Sequence, residues 1–277
     1  MARTRVRIVH RIVTSLALTA GLALTAACGA SDGPSPGSSS GGKSGGKHGH
    51  DGSPVVVATT TWEGAFAKAA GAKDVKVIVP QSVHHAPDYD PKPSDLAAVA
   101  EADFVLYAPF EPYAEKIKEA AGSKAELVEV ALDNDADKVT AEVARLGEKF
   151  GTRDAAAKWK ASFGTEYAKL QADLKAAWPG GKAPVVVSQV FTAWSAKMAG
   201  ANVVGTYGPE AVTAAQLAEL SAKKPALVLD NAHMSTGVAL PGAGVKQVKI
   251  VNYPGEDLDL LPVYRNAATA VKRAMAG

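Results

Sequence analysis

The chain has 277 residues, of which 47% are hydrophobic and 21% charged, a globular proportion that excludes a disordered chain, a collagen-like repeat and a multi-pass membrane protein. The formal net charge is +2, but Arg3, Arg5, Arg7 and Arg11 all precede Cys28, and without them the chain is faintly acidic. No basic stripe is left to serve a nucleic acid, so no such partner is expected.

Residues 1–27 read as an export signal. The arginines are followed by a run from Ile12 to Ala27 in which only Thr14, Ser15, Thr19 and Thr25 interrupt apolar or small residues. That run is shorter than the roughly 20 residues of a permanent membrane span and ends in small side chains, which predicts cleavage. Leu24-Thr25-Ala26-Ala27-Cys28 resembles the lipobox of bacterial lipoproteins. The resemblance implies lipidation of Cys28 and anchoring to the outer face of the cell membrane. As the single cysteine, Cys28 cannot form an internal disulfide.

Residues 28–53 then carry almost no apolar side chain and read as a flexible tether. Gly37 to Ser44 satisfies the phosphate-loop pattern, but such a loop works only between a strand and a helix whose amides hold the anion, and this composition builds neither. His48 and His50 are read as solvated linker residues.

From Pro54 one rhythm repeats: a short apolar β-branched run, a polar loop and a helical stretch, often closed by glycine. The expected strands are Val55–Thr59, Val75–Val79, Asp103–Tyr107 and Leu127–Val130, then Val185–Ser188, Asn202–Gly205, Ala226–Asp230 and Val248–Val251. Runs of this kind are buried on both faces, which predicts parallel, helix-covered sheets. Gly71 and Gly122 suit helix C-caps, and Pro112 suits a first helical position. Between the halves, Asp137 to Trp178 is helical with a break at Gly151, and Trp159, Phe163, Tyr167, Leu170 and Leu174 form a packing stripe. The expected fold is therefore α/β with two lobes, 54–136 and 181–277, each a parallel sheet flanked by helices. A long rigid helix within 137–180 bridges them.

Open parallel sheets bind ligands beyond the carboxyl ends of their strands. All three histidines of the folded part fall there: His84 and His85 after the second strand, His233 after the seventh. The acids Glu63, Asp88, Asp90, Glu111, Asp230, Asp257 and Asp259 join them in the expected loops, with Gln189 and Asn231. Imidazole with carboxylate suits zinc and other first-row divalent ions. Glu111, held in Pro109-Phe110-Glu111-Pro112, is the acid least suited to a capping role.

The segment 79–113 resembles the zinc and manganese group of solute-binding lipoproteins of ABC importers. It shares a histidine (His85), an aromatic (Tyr89), Pro91-Lys92-Pro93-Ser94-Asp95 and an Ala102-Asp103-Phe104-Val105 strand. The resemblance implies one divalent ion, zinc or manganese, bound between the lobes as cargo for an ABC permease by a monomeric, membrane-anchored, non-enzymatic protein. His85 carries over directly. Gln189 stands near a family histidine, and Asp259 near a C-terminal aspartate. Leu132-Asp133-Asn134-Asp135 replaces the segment that supplies a second family histidine, so His233 and Glu111 are expected as local replacements. Two other readings share parts of this sequence: a binding protein for an organic or metal-chelate solute, its cleft lined by Trp62, Tyr107, Phe191, Trp194, Tyr207 and Tyr253, and a zinc-dependent hydrolase.

Overall fold

The computed structural model describes residues 53–83 and 86–276, which belong to one compact unit. Cys28, the tether with its phosphate-loop pattern, His84 and His85 lie outside the described residues. Strand β1 (Val55–Ala58) leads through helix α1 (Thr61–Ala69) to β2 (Asp74–Val77), and α2 (Pro93–Glu101) leads to β3 (Phe104–Tyr107). Helix α3 (Ala114–Ala121) connects to β4 (Glu126–Glu129), and the four strands form one all-parallel sheet in the order β2-β1-β3-β4.

Local chemistry sets these boundaries. Thr60 caps α1 by accepting from Trp62 N at 3.2 Å, and Glu63 answers by accepting from Thr60 N at 3.1 Å. Pro93 opens α2, where its missing N–H costs nothing, and Asp95 accepts from Lys92 N at 2.9 Å and from the Tyr89 hydroxyl at 2.8 Å. Tyr89 and Asp95 thus act mechanically, pinning the chain between the His84–His85 run and α2. Pro112 stands one residue before Tyr113, the N-cap of α3, rather than inside the helix.

Two helices follow, α4 (Ala136–Phe150) and α5 (Arg153–Ala176), separated by Gly151 in the left-handed conformation at φ 70°. At 24 residues α5 is about 36 Å long. Its aromatic stripe is packing, as expected: Trp159, Phe163 and Tyr167 stack in series, and Phe163 meets Tyr264 edge-on with ring centroids 5.0 Å apart.

The second sheet repeats the first. Strands β5 (Val185–Gln189), β6 (Asn202–Tyr207), β7 (Leu227–Asn231) and β8 (Lys246–Ile250) are all parallel in the order β6-β5-β7-β8, with α6 (Ala193–Met198) and α7 (Ala214–Ala222) between strands and α8 (Leu261–Ala276) closing the chain. Two expectations are corrected here. Only the central strands β1, β3, β5 and β7 are largely buried, because the edge strands β2, β4, β6 and β8 turn alternate or outer residues to solvent. Gln189, Asp230 and Asn231 end strands instead of lying in loops, and Glu63 belongs to α1.

One continuous core runs from Val56, Phe66 and Leu106 of the first lobe through Leu146 and Phe163 to Tyr264, Leu229 and Ile250 of the second. The lobes therefore share buried surface through α4, α5 and α8. Among the described residues no helix is long and apolar enough to cross a membrane.

Candidate functional site

The carboxyl ends of β1 and β3 lie side by side, with Ala58 in register with Leu106. Five residues beyond each member of that pair stand Glu63 and Glu111, so neighbouring strands deliver two carboxylates to one place. Both are buried. Glu63 accepts from Thr60 through Oε2, while its Oε1 has no hydrogen-bond partner. Glu111 Oε2 accepts from Ala108 N at 3.1 Å and Oε1 accepts from the Tyr113 hydroxyl at 3.1 Å, so this carboxylate does cap its own turn. The Thr59 hydroxyl lies close enough to favour both ionised forms, although it meets hydrogen-bond geometry with neither.

Burial dominates the electrostatics. Desolvation raises Glu63 above the usual carboxylate range, and desolvation together with the Glu63 charge pushes Glu111 up to about 8. Two buried carboxyls this close do not both ionise at neutral pH without a counter-charge. The field reaches the second lobe: burial, then the charges of Glu63 and Glu111, push the Tyr253 phenol up to about 12.

Tyr253 follows β8 and is the hub of the seam. Its ring meets Trp62 of the first lobe edge-on at 5.2 Å and His233 at 4.8 Å. Thr61 Oγ1 donates to the Pro254 carbonyl at 2.9 Å, a direct bond across the lobes. His233 is placed by a tight turn after β7, in which its N–H donates to Asn231 Oδ1 at 3.0 Å. Two cavities flank it. The smaller, about 30 Å³, is bounded by Thr60, Thr61, Gln81, Ala86, His233 and Tyr253, and is large enough for one water or ion. The larger, about 630 Å³, opens between the lobes past Trp62, Phe110, Phe191, Trp194, His233 and Tyr253. Trp62, Phe191, Trp194 and Tyr253 thus line the cleft as expected of aromatics there, whereas Tyr107 and Tyr207 are buried and donate to Glu129 and Asp230.

The other candidates serve the backbone and side chains around them. Gln189 Oε1 accepts from Phe191 N at 2.7 Å, and its Nε2 is buried without a partner. Asp259 Oδ1 accepts from Leu261 N at 3.1 Å at the start of α8. Neither lines either cavity. Asp230 accepts from Tyr207, Ser235 and Gln247, which fully employs it inside the second lobe. Among the described residues no group of three or more histidine, cysteine or acidic side chains is gathered to hold a metal. The pairing of Glu63 with Glu111 had a sequence signal, an equal offset from two strands that neighbour each other in the sheet. The contributions of Asn134 and Asn252 to the seam had none.

Residues 56–158 match the family model described as the zinc-uptake complex component A, periplasmic, which confirms the resemblance carried by residues 79–113. No curated protein matches in sequence. Among solved structures, the laminin-binding protein Lbp of Streptococcus pyogenes superposes with a TM-score of 0.60 at 15% identity, covering 80% of this chain and 99% of its own. The Zn(II)-bound ZnuA-like domain of AdcA from Streptococcus pneumoniae gives 0.56 at 17% identity, with 82% and 100% covered. The SBP FpvC of Pseudomonas aeruginosa, in complex with a nickel ion, gives 0.60 at 16% identity, with 80% and 97% covered. The chain thus has the two-lobed fold of these solved proteins, and over residues 56–158 it matches a family of metal-binding solute-binding proteins.

Proposed function

We propose that this chain is an extracytoplasmic metal receptor that captures a divalent ion, zinc in preference to manganese, between its lobes and passes it to an ABC permease. The observation that carries the reading is the sharing of His233, from the second lobe, and Ala86, the residue directly after His85 in the first, by the walls of both interlobe cavities. His85 with the adjacent His84 and His233 would supply neutral imidazole from opposite lobes. Glu111, backed by Glu63, would supply anionic oxygen, and the arriving cation provides the counter-charge that the buried pair lacks. Lipidation at Cys28 would hold the receptor beside its permease as a monomer on the outer face of the membrane.

The test is metal content by mass spectrometry on the mature chain carrying His48→Ala and His50→Ala, which removes the tether as a trivial source, together with thermal unfolding before and after chelation. About one zinc or manganese per chain, with a lower unfolding temperature once it is stripped, is the expected result. A chain that retains no metal and shows no thermal response to zinc or manganese rejects the reading.

A further inference from the structure

The larger interlobe cavity, at about 630 Å³, has the size of a small-molecule site, which commonly spans about 300–1,000 Å³, and far exceeds the ion-sized pocket of about 30 Å³ beside it. Its wall is unusual for a surface facing water. Phe110 of the first lobe is 68% exposed and Phe191 of the second 49%, and Val190 and Met234 at the same cavity are exposed too. Four of the large apolar side chains exposed among the described residues thus gather at one concave opening, where scattered placement would need no explanation. Trp62, Trp194 and Tyr253 continue the aromatic wall.

The polar groups of that wall are engaged with one another. Lys138 pairs with Asp133 at 2.6 Å, and Lys197 pairs with Asp135 at 2.8 Å and Asp137 at 2.9 Å, so the charges cancel locally. Asn252 is used at both ends of its amide: Oδ1 accepts from Trp194 Nε1 at 2.9 Å, and Nδ2 donates to the Phe191 carbonyl at 3.2 Å. Trp62 Nε1 and Asn134 Oδ1 make no hydrogen bond, but both atoms are closed off from solvent. A solute entering here therefore meets ring faces and aliphatic groups. An ionised one would give up water without gaining a counter-charge, whereas an aromatic one can stack on or meet edge-on the rings around it.

From these relations we infer that the larger cavity is a binding site for an uncharged aromatic solute, held against Phe110 from one lobe and Phe191 from the other without help from a metal ion. The site goes beyond the metal reading and does not require it. A solute in contact with both phenylalanines bridges the lobes on the solvent side of the Trp62–Tyr253 contact.

The test uses the full mature chain with His48→Ala and His50→Ala, stripped of metal and kept in chelator, and three probes that share one skeleton: 2-naphthol, 2-naphthoate and decahydro-2-naphthol. Calorimetric titration at pH 7 should show 2-naphthol binding at least about tenfold more tightly than the anion or the aliphatic alcohol. Replacing both Phe110 and Phe191 by alanine should weaken 2-naphthol at least about tenfold, and both side chains are exposed enough for the fold to survive, which the unfolding midpoint of the variant checks. Absence of saturable 2-naphthol binding overturns the inference, as does equal binding of the three probes or an affinity unchanged in the folded double variant. Binding that appears only when zinc is restored overturns it as well. The same preparation titrated with zinc chloride separates the two readings: zinc bound without 2-naphthol leaves the metal reading standing alone, and 2-naphthol bound without zinc supports the aromatic site while rejecting the metal reading.

Discussion

Asn134, just after β4, donates its side-chain Nδ2 to the carbonyl of Asn252, just after β8, at 2.9 Å, and so ties the carboxyl edges of the two sheets together. The link continues on both sides. Trp194 Nε1 donates to Asn252 Oδ1 at 2.9 Å, and the Tyr264 hydroxyl donates to the Asn134 carbonyl at 3.0 Å. Asn134 lies in Leu132-Asp133-Asn134-Asp135, the segment read in the sequence as lacking a histidine counterpart, and here it joins the lobes.

Asn134→Ala should therefore loosen the seam. It strands the buried Asn252 carbonyl, at a cost of about 1–3 kcal/mol, and should lower the unfolding midpoint by several degrees in a domain of this size. Thermal unfolding of the metal-free chain measures it. A midpoint within a degree of the parent would show that the bond adds nothing across the lobes.

The buried acids make stability fall as pH rises. Burial, then the charge of Glu63, holds Glu111 protonated up to about 8, far above its value of 4.5 when exposed. Between those limits the folded state binds more protons than the unfolded state, so this contribution is fully present below about 4.5 and is lost as pH climbs through 8. Glu111→Gln keeps an acceptor for Ala108 N and the Tyr113 hydroxyl but has no proton to lose. Denaturant titrations should show the variant more stable than the parent by at least about 1 kcal/mol at pH 8.5, with the advantage gone near pH 4.5. Equal stability at both pH values would mean that Glu111 titrates normally.

The architecture was legible because its causes are local. Apolar β-branched runs, with Gly122 and Gly151 at helix ends, act within a few residues, and a parallel α/β arrangement follows from their alternation. His233 was singled out because histidine is scarce, and the structure places it against Tyr253 at the interlobe cavities. What the sequence hid was proximity set by the meeting of two sheets: Tyr253 beside Trp62, and Asn252 beneath both Asn134 and Trp194, are separated by more than fifty residues. Glu63 was misplaced into a loop because its capping box with Thr60 extends α1 back toward the strand end. Gln189 and Asp259 sat where ligands were sought, yet the same carboxyl ends also need caps, and those two side chains supply them.

The bracing by α4 and α5 has its own test. A Cβ on Gly147 of α4 would stand 2.6 Å from Ala156 Cβ of α5, so the helices touch at a spot with no room for a methyl group. Gly147→Ala should gain up to about 1 kcal/mol of helix propensity but lose about 1–3 kcal/mol to overpacking, for a net destabilisation. Gly164, inside α5 with nothing within 4 Å of its own added Cβ, is the control: Gly164→Ala should stabilise by about 0.5–1 kcal/mol. Parallel unfolding curves decide it, and equal shifts in both variants would remove the packing argument.

Metal capture should run against the pH dependence of the empty protein. Histidine ligands lose competition to protons below about pH 6, and Glu111 must give up a proton held up to about 8 before it can serve a cation. Affinity should therefore rise in two stages, through the histidine range and again toward pH 8. His85→Ala and His233→Ala are each expected to weaken zinc binding at pH 7.5 by about ten- to a hundredfold, if their loss costs what loss of a supporting metal-site group typically does, and to leave the fold intact. Glu111→Gln should flatten the upper stage alone. Because the bound cation takes the place of the proton on Glu111 as the counter-charge, saturating zinc should also reverse the loss of stability above neutral pH. Calorimetric titrations at several pH values separate these effects. Affinity that is flat from pH 5 to 7.5 rules out histidine ligation, and an upper stage unchanged in Glu111→Gln removes the buried carboxylates from the site.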